Sequence, residues 1–194
     1  MKSYSLFLVK NSALNEAQQP LGHTEPVAGT PWVRYQFTKD ADPPDDEILT
    51  GEASLTESLS ETLGEVIFVY GDTSIDGFVY EHADQGEMLR KLVWFPMLDD
   101  EWNAGWIFVD GQPESWEQIL FKEDRLASYL ERLRAQYADE GHGESFDRCA
   151  QQVQEDWATG EIHAGNRYPE CDGTMALVIE SHYGVERAAE RKNI

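Results

Sequence analysis

The chain has 194 residues, 41% hydrophobic and 11% aromatic, enough to build one large domain around a packed core. Against 37 Asp and Glu stand only 15 Lys and Arg, a formal net charge of −22. Such a surface repels phosphate backbones and anionic lipids, so nucleic acid and membrane are not expected partners.

At the start, the short apolar run Leu6-Phe7-Leu8-Val9 is stopped by Lys10 and Asn11, with no small-residue cleavage site after it. That length suits a strand over residues 4–10 and neither a signal peptide nor a membrane span. The expected location is the cytoplasm. Residues 11–31 carry Pro20, Gly22, Pro26, Gly29 and Pro31 and read as a long connection. Residues 32–38 alternate and are rich in aromatics, which predicts a second strand. Residues 39–64 are acidic, with Asp45, Asp46 and Glu47 at the centre of the charge run. Pro43-Pro44 precludes a helix at its start. Ser54 followed by Glu57 is a capping-box pattern, and Leu55, Leu59 and Leu63 recur every four residues. A helix over 54–63 follows, stopped by Gly64.

The middle reads as an antiparallel meander. Residues 65–70 form a buried-looking strand, and Gly71 to Ser74 is turn chemistry. Residues 76–83 alternate, with Phe78, Tyr80 and His82 on one face and Val79 and Glu81 on the other. Asp84-Gln85-Gly86-Glu87 is a hairpin turn, and residues 88–96 return as its partner strand. Residues 97–103 make a second, acidic turn, followed by a strand over 104–110.

The chain then turns helical. A short helix is predicted over 114–121 and a long amphipathic one over 123–140, with Leu126, Tyr129, Leu130, Leu133 and Tyr137 on one face. Gly141-His142-Gly143 breaks it. A further amphipathic helix covers 145–159, with Ser145 as its N-cap and Phe146, Cys149, Ala150, Val153 and Trp157 on its apolar side. Residues 174–183 suit either a strand or a helix. The following Gly184-Val185, a helix stop with a hydrophobic cap contact, favours helix. Strands first and helices later predict a single α+β domain over 1–194, strand-rich to about 112 and helix-rich after it. Its expected form is an antiparallel sheet with helices packed on one face.

Phosphate-binding glycine patterns, zinc-protease and C-x-x-C motifs and the hydrolase elbow are all absent from the sequence. Among the five histidines, no two stand at metal-ligand spacing on one element, so neither metal nor cofactor is expected. His82 reads as a satisfied, partly buried imidazole. Cys149 and Cys171 read as reduced thiols, too few for a disulfide scaffold. Asp72 and Asp76 flank a turn, where carboxylates commonly bond nearby backbone N–H groups. Asp99-Asp100-Glu101-Trp102 differs in kind. It sets three carboxylates beside an aromatic at an expected hairpin tip, a composition suited to gripping a protein partner's Arg and Lys. Asp45, Asp46 and Glu47 offer a second such surface.

The stretch from Val69 to His82, then Leu89-Arg90-Lys91-Leu92-Val93-Trp94, Trp106, and Val109-Asp110-Gly111-Gln112-Pro113-Glu114-Ser115-Trp116-Glu117 carry a resemblance, as does His182-Tyr183-Gly184-Val185. Together they resemble a group of uncharacterised small acidic bacterial proteins. These have a strand–hairpin–strand segment followed by a Gly-x-Pro-Glu-x-Trp-Glu helix start. The resemblance implies a bacterial origin and a fold type. In kind and composition the chain is also similar to immunity proteins of secreted antibacterial toxins.

The leading expectation is therefore a non-catalytic binding protein that neutralises a cognate toxin, a basic nuclease by charge. One alternative is a small hydrolase or transferase with a site drawn from Asp72, Asp76, His82 and Cys149. The other is a regulatory or structural adaptor.

Overall fold

The computed structural model describes residues 3–10, 25–95, 104–141 and 143–185. Its centre is a sheet of seven strands: β1 (Ser3–Lys10), β2 (Glu25–Pro26), β3 (Trp32–Lys39), β4 (Val66–Asp72), β5 (Gly77–Asp84), β6 (Glu87–Phe95) and β7 (Gly105–Gly111). They lie in the order β2-β3-β1-β4-β5-β6-β7, and every neighbouring pair is antiparallel. The protein is thus α+β, with the expected meander running from β4 to β7.

β1 lies between β3 and β4 and is antiparallel to both, so those two strands run the same way. Their connection must cross a face of the sheet. The helices α1 (Asp46–Leu49) and α2 (Thr56–Leu63) make that crossing. Ile48 and Leu49 pack on Phe68, Tyr70, Val79 and Val93, and Leu63 joins Val9, Tyr35 and Val66. The opposite face presents Leu6, Leu8, Ile67, Phe78, Tyr80 and Trp94, among others. It is covered by a 3-10 helix (Ser115–Ile119) and a later helix, through Trp116, Leu120, Met175 and Ile179. The remaining helices are α3 (Glu123–Asp139), α4 (Gly143–Thr159) and α5 (Met175–His182), of which α3 and α4 pack against each other as a hairpin.

β6 carries two cations side by side, and the pleat sends them to opposite faces. Arg90 is 2% exposed and Lys91 3%. Arg90 forks onto Glu117, Nε to Oε1 at 2.9 Å and one terminal nitrogen to Oε2 at 2.7 Å. Glu117 Oε1 also accepts the Glu114 N–H at 2.7 Å, which completes a capping box at the start of the 3-10 helix. On the other face the Lys91 ammonium lies 3.0 Å from Glu81 Oε1 and donates to the Ala53 carbonyl. Glu81 Oε2 accepts the backbone N–H groups of Leu55 at 2.9 Å and Thr56 at 3.1 Å. A side chain of β5 therefore caps α2 from across the core. Ser54 contributes as its pattern predicts, its Oγ accepting the N–H groups of Thr56 and Glu57.

Several local expectations hold in detail. Gln85 and Gly86 have φ of 51° and 85° between paired Asp84 and Glu87, two successive left-handed residues that match the twist of the flanking strands. Residues 174–183 resolve as a helix. The Val185 N–H reaches the Glu180 carbonyl at 3.0 Å and the Gly184 N–H the Ser181 carbonyl at 3.1 Å, a Schellman stop with Val185 buried. Others are corrected. β4 continues through Gly71 and Asp72 because both pair with β1 and β5, so the turn comes later. The chain between α3 and α4 turns at Gly141, φ 75°, and α4 begins at Gly143, which places Ser145 inside the helix and not at its cap. α1 is a single turn within the acidic segment that no periodicity announced. Residues 97–103, the expected second turn, lie outside the described residues. Among the described residues no helix is long and apolar enough to cross a membrane.

α5 reaches the sheet through two glycines. A Cβ on Gly71 would stand 2.3 Å from the Gly173 carbonyl oxygen, and one on Gly173 would stand 2.4 Å from the Asp72 backbone. Gly71→Ala is expected to cost about 1–3 kcal/mol by forcing the α5 start off β4. A urea midpoint equal to that of the parent protein would contradict this. Glu81→Gln leaves the Lys91 ammonium buried without a counter-charge and is expected to cost about 3–5 kcal/mol. Adding Lys91→Met removes the stranded charge, so the double variant should unfold at a higher urea concentration than Glu81→Gln alone.

Candidate functional site

The residues picked from the sequence do not meet at one place. Asp45, Asp46 and Glu47 stand exposed at the start of α1, where their charge is favourable beside the first helical N–H groups. Asp99, Asp100, Glu101 and Trp102 lie outside the described residues. Asp72 accepts the Ser74 N–H at 2.7 Å and its hydroxyl at 2.6 Å, which is turn bonding. Asp76 is in the same turn with φ 51°. His82 is near the far end of β5, opposite Ile67, whereas Asp72 pairs with Gly77. Cys149 is half-buried on α4, and both cysteines are free. These four residues share no groove among those described.

The densest polar cluster surrounds His82. Its Nδ1 faces Glu114 Oε1 at 2.5 Å and its Nε2 faces Glu65 Oε1 at 3.3 Å. Glu65 also accepts from Lys10, whose ammonium sits 6.0 Å from the centre of the Trp32 ring. Trp32 meets His82 and Tyr183 edge-on, and the hydroxyls of Tyr80 and Tyr183 are 2.9 Å apart. Burial pushes the Tyr80 and Tyr183 hydroxyls well up. A general base needs a ring nitrogen with a lone pair directed at its substrate. Here both nitrogens already face carboxylate oxygens of the fold. The cluster joins the ends of β1 and β5, the start of β4 and the 3-10 helix. Its chemistry is that of a tie. Among the described residues no group of three or more His, Cys, Asp and Glu is placed to hold a metal ion.

The feature that stands apart is α3. An amphipathic helix normally buries its apolar stripe. α5 buries four residues in eight, and α4 buries Phe146, Ala150, Val153 and Trp157. α3 has 17 residues and buries none. Leu126, Tyr129, Leu130, Leu133 and Tyr137 are only half-buried. The hairpin is fastened at its two ends. The Trp157 indole donates to the Phe121 carbonyl at 2.9 Å, while Phe146 packs against Tyr137 and the Arg134 guanidinium. Between these fastenings open grooves flank α3. One of about 560 Å³ lies towards Phe146 and Ala150, one of about 530 Å³ towards Cys149 and Tyr168, and one of about 520 Å³ towards Trp94 and Cys171. Tyr129 lines the last two and a smaller third groove, and its ring packs on Tyr168 at 5.5 Å. Tyrosine and arginine, residue types enriched at binding hot spots, are among the residues that line these grooves, beside an equal number of carboxylates.

The sequence places these five side chains on one face and goes no further, because periodicity reports amphipathicity and not what covers it. The buried cations did leave a signal. Arg90-Lys91 interrupts an apolar strand, and charge at such positions calls for buried partners. Compared with protein-family models, curated proteins and solved structures, the chain matches none.

Burial raises the Tyr129 hydroxyl from 10.0 to about 12, reinforced by Glu170 and opposed by Arg167 and Arg132. The folded phenol thus holds its proton where the unfolded one releases it. Its stabilising contribution is complete below pH 10 and is lost as pH rises through about 12. The urea midpoint should fall across that interval, and Tyr129→Phe should reduce the fall. An unchanged slope in the variant would count against a half-buried Tyr129 that holds its proton.

Proposed function

We propose that this chain is a non-catalytic binding protein of the immunity type, which holds a basic toxin through the face of α3 and its flanking grooves. The observation that carries the reading is the stripe of α3 that the fold leaves half-covered. A helix of 17 residues with an apolar face and no buried residue has its contact area still to make. Burying such side chains contributes about 1.5–3 kcal/mol each for a leucine-sized group, so a partner that covers the stripe gains what the fold itself does not. The ionic pairs of the interior support the same reading. Arg90 with Glu117, and Lys91 with Glu81, are spent on fastening helices to the sheet.

Charge supplies the kinetics. A surface at −22 attracts a basic partner over about a Debye length, and the exposed carboxylates of Asp45, Asp46 and Glu47 add to that field. Such steering acts mainly on the association rate, while packed aromatic and aliphatic anchors hold the complex.

The test is co-expression with the toxin encoded beside this gene. The expected result is rescue of growth and a complex that survives gel filtration. Leu133→Glu should weaken binding by about 2 kcal/mol, roughly 30-fold in Kd, with the thermal midpoint little changed because the position is half-exposed. Reversing Asp45, Asp46 and Glu47 to lysine should slow association and flatten its salt dependence. Continued killing with no complex would end the proposal.

A further inference from the structure

A groove of about 560 Å³ runs between α3 and α4, and both helices line it at the same spacing. α3 contributes positions i, i+3, i+4 and i+7 from Ala127 to Arg134, and α4 does so from Asp147 to Gln154. Such positions form one face of a helix over two turns. The groove thus follows two helix axes for about 12 Å. Its floor is apolar. Phe146 and Ala150 are buried and Leu130 is half-buried. Ala127 and Ala150 end in a single methyl and leave room for a third backbone to come close.

Charge sits on the rim. Glu131 and Asp147 are exposed, one on each helix, and neither carboxylate has a hydrogen bond or ion pair among the described residues. The one cation of the lining, Arg134, lies at the end of the groove, its guanidinium 4.9 Å from the centre of the Phe146 ring. Each helix holds four Asp and Glu, against three Arg in α3 and one in α4. Two of those arginines point elsewhere: Arg132 pairs with the Glu170 carboxylate and Arg125 donates to the Glu170 carbonyl at 2.6 Å. An apolar floor between free carboxylates complements a helix with leucine-sized side chains on one face and lysine or arginine beside them.

We infer that this groove takes a basic amphipathic helix of the protein partner, laid along α3 and α4 to complete a three-helix bundle. This deepens the reading of the hairpin as a docking face and rests on it. The apolar face of the incoming helix meets Leu130, Phe146 and Ala150. Its cations reach Glu131 and Asp147, and their aliphatic stems cover the rim. A strand fits less well, because its side chains recur every two residues and those of the groove every three or four. A second copy of this chain also fits less well, since its own hairpin would set carboxylates against carboxylates.

The test uses the full chain and an end-capped, dye-labelled peptide of about 18 residues, five helical turns, with leucine on one face and lysine beside it. Its controls are a scrambled twin of the same composition and a twin with glutamate for each lysine. Fluorescence anisotropy should give saturable binding of the helical peptide, about tenfold weaker binding or less for the scrambled twin, and none for the glutamate twin. The scrambled twin carries the same charge, so it measures what the net −22 attracts without a groove. Ala127→Arg, at an exposed position, should fill the groove and raise the Kd about tenfold or more with an unchanged thermal midpoint. Glu131→Lys with Asp147→Lys is the second variant, and should raise the Kd and flatten its dependence on salt. Equal binding of the two lysine peptides, or a Kd indifferent to both variants, would overturn the assignment. So would dimers of the parent chain in sedimentation that Ala127→Arg dissociates, which would give the groove to a second copy. Toxin rescue that survives Ala127→Arg, with the helical peptide unbound, would remove the helix site and leave the binding function standing. A bound peptide whose Kd rises in Ala127→Arg, beside a toxin that the parent chain fails to neutralise, would end the immunity reading and leave the helix site.

Discussion

Arg90 and Lys91 are neighbours on β6, so the pleat of the strand sends one to each face of the sheet. Each meets a buried glutamate, and each glutamate also accepts backbone N–H groups at the start of a helical element. Two ion pairs from adjacent residues thus set the helical layers on both sides. Buried charges are costly unless fully paired and hydrogen-bonded. That cost fixes the geometry, because a shift of α2 or of the 3-10 helix would strand a charge in the interior.

The rest of the architecture follows from this constraint. The crossover from β3 to β4 must pass over one face, and Glu81 caps α2 as it passes. The 3-10 helix carries Trp116 onto Phe78 and Tyr80 on the other face, held by the fork of Arg90 on Glu117. α5 then closes that face where two glycines let it approach the β4 backbone. With both faces covered, the hairpin of α3 and α4 has no sheet left to sit on. Its stripe stays half-open for a simple reason: the core it might have covered is already closed.

Much of the local structure was legible in the sequence. The hairpin at Gln85-Gly86, the alternation of β5, the limits of α3 and the stop at Gly184 each follow from chemistry within a few residues. Less was legible where partners come from far along the chain. Ser145 looked like a cap, but the tertiary turn at Gly141 started α4 two residues earlier. Glu57 looked like the return half of a capping box, whereas the carboxylate that caps α2 is Glu81, 25 residues from Thr56. Of the two acidic runs that drew attention as binding surfaces, Asp45 to Glu47 stands exposed at the start of α1 and Asp99 to Trp102 lies outside the described residues. The groove towards Trp94 and Cys171 had no counterpart in sequence spacing, since Trp94, Arg125 and Arg167 lie on three separate segments.

By itself the sequence determined the α+β class, the meander, the positions of most helices and the strongly negative field around the molecule. These depend on periodicity, turn chemistry and composition, which act over a few residues or over the chain as a sum. Only the tertiary structure decided which charges are buried, that His82 is held between Glu65 and Glu114, and that α3 keeps a half-covered face beside open grooves. These depend on which distant segments meet, and in an antiparallel sheet crossed by helices that is settled by packing and by the cost of an unpaired buried charge.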